Sequence, residues 1–169
     1  KADAPEMQAM LRLLHRYDPI LAVDLHVTDG AKFEHDVSVT FEPLYTGPEG
    51  LRAQGALLKA ELFQRLEASH HLPVDFYPSF LEDDQPWSGF GYGWPPPRFG
   101  NAYWAANNRF GMLVETHSWK DYRTRVAATF ARFTSRIGAS PAWYRFSKAC
   151  AEVVAFSSVL LASLRRSAA

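Results

Sequence analysis

Apolar residues recur along this chain with two different periods, and the places where the period changes mark the elements. Met7, Met10, Leu11, Leu14 and Tyr17 repeat at helical spacing after Asp3, which can cap a helix, and Pro5, which fits its first turn. Asp18-Pro19 ends that helix, because the residue before a proline avoids helical backbone. Ile20 to His26 is a short apolar run and predicts a buried strand, with Asp29-Gly30 as the turn after it. His35 to Glu42 alternates, with Val37, Val39 and Phe41 on one face, and Pro43 stops it. Leu51 to Ser69 predicts a helix that buries Leu58, Leu62, Phe63 and Leu66.

From Leu72 to Asn108 the periodicity fails. Prolines at 73, 78, 86 and 95–97 interrupt it and four glycines loosen it. A long, partly ordered loop region is expected there, with one short strand at Val74 to Phe76; loops of that length in a compact domain are usually functional. Gly111 to Glu115 predicts a second buried strand. Ser118 is expected to cap a helix carrying Tyr122, Val126, Phe130, Phe133 and Ile137, closed by Gly138. Ser140-Pro141 then opens an expected amphipathic helix to about Arg166. Helices alternating with buried strands imply an α/β fold in one domain spanning residues 1–169, with a core over 5–137 and a C-terminal helix over 140–166.

Composition narrows the functional classes. The 18 basic residues balance 18 acidic ones, which favours neither nucleic acid nor an anionic membrane surface. The run Val153 to Leu164 is too short to span a bilayer, and the opening residues do not read as a signal peptide, so a soluble protein is expected without a defined compartment. The single cysteine, Cys150, excludes an intrachain disulfide.

The chemistry concentrates at two predicted strand ends. His26 ends the first, where open α/β sheets bind ligands, and a neutral imidazole there can hold a metal. Asp24, two residues earlier, shares its face of the strand and can fix the imidazole tautomer. A histidine satisfied by neighbouring hydrogen bonds is the plain alternative. Glu115 ends the second strand, where partial desolvation raises basicity and suits a general base; an ion pair with Lys120 or Arg123 is its alternative. Neither His-x-x-Glu nor His-Glu-x-x-His occurs. His15 with Asp18, His26 with Asp29, and His70-His71 have only weak metal-like spacing. The residues therefore present half of a metal-assisted hydrolytic site, since a catalytic zinc takes three protein ligands.

Asp24-Leu25-His26-Val27-Thr28-Asp29-Gly30, then the turn Asn108-Arg109-Phe110-Gly111, then Leu113-Val114-Glu115-Thr116-His117 follow one another in the chain. In that order they resemble the carboxypeptidase A-like zinc metallopeptidases, and in particular a bacterial branch of that family. The resemblance covers roughly residues 5 to 137. It implies the C-terminal half of a mixed, mostly parallel sheet flanked by helices. It implies that His26 is the third zinc ligand, that Glu115 is the general base, and that Tyr92, on a mobile loop, covers the substrate, with Tyr103 as the other candidate. The family's His-x-x-Glu pair and its carboxylate-binding arginines stand upstream of the third histidine. The resemblance therefore implies a missing N-terminal half as partner, a peptide with a free C-terminus as substrate, and no activity in this chain alone. Where the more familiar pattern has serine and tyrosine after the histidine, Val27 and Thr28 stand. An aspartoacylase-like N-acyl amino acid hydrolase and a non-catalytic binding relative are the alternatives.

Overall fold

The structure, a computed structural model, describes residues 2–134 and 153–157, the last five by their backbone. It is a mixed α/β arrangement. Helix α1 (Pro5–Tyr17) leads into strand β1 (Leu21–Val27); β2 (Val37–Glu42) follows, then α2 (Glu49–Ala68) and β3 (Pro73–Val74). Two short strands, β4 (Ser79–Phe80) and β5 (Phe90–Gly91), form a separate hairpin. Helix α3 (Gly100–Ala106), β6 (Phe110–Thr116), α4 (Tyr122–Thr134) and β7 (Val153–Ser157) complete the order. The main sheet runs β3-β2-β6-β1-β7. Only the β2–β6 pair is antiparallel.

The register sorts the sheet into two faces. Leu21 and Val23 of β1, Val37, Val39 and Phe41 of β2, and Phe110, Met112 and Val114 of β6 make the core with Leu66 and Ala128. Leu58, Leu62 and Phe63 of α2 pack on the same cluster. Each such aliphatic or aromatic side chain contributes roughly 1.5–3 kcal/mol by leaving water. The opposite face carries three rows across the strands: His26, Glu115 and Ser38; Asp24, Leu113 and Thr40; and Ala22, Gly111 and Glu42. Helix α3 covers one end of that face. It is held there by Asn101 Nδ2 donating to Thr40 Oγ1 at 3.1 Å and Trp104 Nε1 donating to the Pro19 carbonyl at 2.9 Å. Leu14 of α1 backs Trp104.

Gly111 makes this close docking possible. A Cβ there would lie 2.1 Å from the backbone oxygen of Asn101. Gly111→Ala should therefore lift α3 or shift β6 and destabilise by about 1–3 kcal/mol, as overpacking does. Urea denaturation of the two forms measures this, and an unchanged midpoint would mean that α3 does not dock as described.

Several expectations need correction. Residue Ala4, not Asp3, sits at the N-cap of α1; no side chain caps it, and Pro5 supplies the helical start. Asp121, not Ser118, caps α4, its Oδ1 accepting from the Thr124 N–H at 3.0 Å. The expected strand at Val74 to Phe76 is β3, which starts one residue earlier and ends two earlier, at Pro73–Val74. The region from Leu72 to Asn108 is more ordered than its prolines suggest, because it contains the β4–β5 hairpin and α3. The expected helix over 140–166 lies mostly outside the described residues, as do Ile137 and Gly138. Its part at Val153–Ser157 is not helical: it is β7, pairing in parallel with β1. An apolar run of this length suits a helix or a strand equally, and the open edge of β1 decides.

Candidate active site

Strands β1 and β6 run parallel with His26 directly opposite Glu115, so both side chains leave the same face at the same level. Both line one cleft of about 800 Å³, together with Asp24, Glu42 and Tyr92. The strand ends are tied behind the site. The Thr28 N–H donates to the Thr116 carbonyl at 2.9 Å, and the Ser118 N–H donates to Thr28 Oγ1 at 3.0 Å.

The imidazole of His26 meets Asp24 through Nε2, 2.8 Å from Oδ1. If Nε2 carries the proton shared there, Nδ1 keeps its lone pair. The Asp24 hydrogen bond raises the histidine pKa above its ordinary value, against the opposing effect of partial burial. Glu115 is 6% exposed, and its Oε2 is buried without a hydrogen-bond partner among the described residues. No ion pair joins it to Lys120 or Arg123. Burial pushes its carboxyl up to about 7; the charge of His26 opposes that rise. A carboxylate of that basicity takes and releases a proton near neutral pH.

The tyrosines divide by position. Tyr92 lies on the cleft wall and is 59% exposed, with the Phe76 and Trp94 rings 6.0 and 6.3 Å from its own. Tyr103 does not line the cleft; its hydroxyl pairs with His15 Nε2 at 2.8 Å. Tyr77 is the residue that sequence reasoning missed. Ser38, opposite Glu115 on β2, donates through Oγ to the Phe76 carbonyl at 2.6 Å and so draws the chain over the site. The Tyr77 hydroxyl accepts from the Asp29 N–H at 3.4 Å. Burial, with the charges of Glu115 and Asp29 nearby, pushes this phenol up to about 12, so it stays a neutral donor. Its sequence signal, a tyrosine before Pro78 in an irregular stretch, points to nothing by itself.

His117 and His71 are engaged elsewhere. His117 stacks on Phe33 with ring centroids 3.9 Å apart. The Trp119 N–H donates to its Nδ1, and its Nε2 pairs with the Phe33 carbonyl at 2.9 Å. Burial lowers its pKa. His71 Nδ1 lies 2.7 Å from Asp36 Oδ2 and steadies the start of β2. Among the described residues no group of three or more histidine, cysteine or acidic side chains is arranged to hold a metal ion. No helix among them is long and apolar enough to cross a membrane.

Arg109 and Asp18 clasp the turns at the far ends of β6 and β1, with Nε to Oδ1 at 3.0 Å and Nη2 to Oδ2 at 2.5 Å. The turn residues of the Asn-Arg-x-Gly segment thus act on the fold: Arg109 aligns β1 with β6, and Gly111 admits α3.

A comparison with protein-family models, with curated proteins and with solved structures finds no match for this chain.

Proposed function

We propose that the cleft is half of a zinc-dependent carboxypeptidase-type active site, with His26 as one metal ligand and Glu115 as the general base. The observation that carries the reading is the buried, unpartnered Glu115 carboxylate set beside an imidazole whose Nε2 is held by Asp24. The motif order in the sequence, which resembles that family, adds to it. What these residues offer fits the metal in part: one oriented nitrogen donor and one basic carboxylate at its side. The reading places the other ligands, and the groups that bind the substrate carboxylate, in sequence upstream of these 169 residues.

Bound zinc would supply a Lewis acid for the scissile carbonyl and lower the pKa of water. Glu115 would take a proton from the attacking water at Oε2 and hand it to the leaving amine nitrogen. Asp24 would keep the His26 ring in one tautomer. Tyr77 would donate a hydrogen bond beside Glu115, and Tyr92 would close over the bound chain. An aspartoacylase-like hydrolase uses the same two residues on a smaller substrate. Turnover of peptides against N-acyl amino acids by the zinc-loaded parent protein separates the two readings, and peptide release is the expected result.

The tyrosine assignments make their own prediction. Tyr92→Phe should raise KM about 2- to 10-fold, the loss of one hydrogen bond. Tyr103→Phe should leave kcat and KM unchanged. Steady-state kinetics on one peptide checks both, and the reverse pattern would move the substrate-covering role to Tyr103.

A further inference from the structure

The end of the cleft farthest from Glu115 has a composition that catalysis does not require. Tyr45 and Trp94 meet edge to face with centroids 4.3 Å apart, and Tyr92 meets Trp94 at 6.3 Å and 80°. All three rings are more than half exposed and adjoin one another, a contiguous aromatic patch of the kind that marks a ligand-binding groove. Glu42 ends β2 on the same cleft wall. Its carboxylate receives only the Leu44 N–H at 3.3 Å, and burial raises its pKa. The nearby cation, Lys59, bonds Asp75 at 2.9 Å, and its charge also acts on Glu42, opposing the effect of burial. Among the described residues that line the cleft, Asp24, Asp29, Glu42, Asp75 and Glu115 stand against one cation, Lys59, and the imidazole of His26. Such a wall repels an acidic side chain and leaves an apolar one beside unpaired carboxylates. Ring faces with an adjacent carboxylate attract a cation.

We infer that Tyr45, Tyr92, Trp94 and Glu42 form a subsite for the cationic end of a lysine or arginine side chain. The inference rests on the peptidase reading for its consequence, a preference for substrates with a basic C-terminal residue. Spacing agrees with it. Glu42 lies four residues along β2 from Ser38, which is opposite Glu115, or about 13 Å at the rise of a strand. One peptide unit with a long basic side chain spans that distance, whereas a short side chain leaves the rings uncovered.

The test needs no turnover. Zinc-stripped parent protein is titrated calorimetrically with acetyl-alanyl-arginine and with acetyl-alanyl-citrulline, which differ in charge and hardly in shape. The arginine peptide should bind the more tightly. Trp94→Leu and Glu42→Gln should each reduce that advantage roughly 2- to 30-fold, the range of a cation at exposed to desolvated rings. Trp94 is exposed, so its replacement leaves the fold in place even if Glu42→Gln perturbs β2. Equal binding of the two peptides, or an advantage that survives both substitutions, would overturn the inference. Because zinc is absent, this outcome stands apart from the fate of the hydrolytic reading. A protein that prefers arginine yet never hydrolyses a peptide would keep the subsite and lose the peptidase.

Discussion

If the proposed zinc site holds, Glu115→Gln in the zinc-loaded parent protein should lower kcat about 10²–10⁴-fold, the usual cost of losing a general base. The amide has nearly the same shape, so it keeps the packing around a side chain that is 6% exposed. It could not accept the proton that the proposed mechanism gives to the buried Oε2. Zinc remains bound, because Glu115 is not assigned as a ligand. His26→Ala should behave differently and lower activity through loss of metal. The two variants together separate base from ligand, which a single inactive variant does not do. Equal turnover by Glu115→Gln and the parent removes Glu115 from the mechanism.

The second large effect is on stability. Burial raises the Glu115 carboxyl from 4.5 to about 7 in the fold. The folded protein therefore holds this proton more tightly than the unfolded chain does. Its contribution to stability is fully present below about 4.5 and is lost as pH rises through about 7. The shift corresponds to about 3 kcal/mol. In chelator-treated protein, Glu115→Gln should thus match the parent near pH 4.5 and exceed it by about that amount at pH 8. Urea unfolding at the two pH values gives the comparison. A constant difference between the forms across this range would mean that Glu115 is solvated or paired in solution.

The pattern of apolar positions was enough to find the strands that matter. Alternation at Val37, Val39 and Phe41 marked the core face of β2, and all three are buried. The runs before His26 and Glu115 marked β1 and β6, and hence two side chains at matching strand ends. What the pattern could not supply was contact between distant segments. Helix α3 has few residues and is set by Asn101 and Trp104 reaching Thr40 and Pro19, contacts with no local signature. Tyr77 comes to the site through the bond from Ser38 to the Phe76 carbonyl, which sequence spacing does not reveal. The strand at Val153–Ser157 was hidden for a related reason, since its partner edge on β1 lies well over a hundred residues away.

Zinc content tests the central claim most directly. The parent protein, Glu115→Gln and His26→Ala are dialysed against one zinc-buffered solution, and metal per chain is measured by atomic absorption. One zinc per chain is expected in the first two, with a marked loss in His26→Ala. Full zinc occupancy in His26→Ala, or no zinc in the parent, would contradict the assignment of His26 as a metal ligand and the proposed site with it.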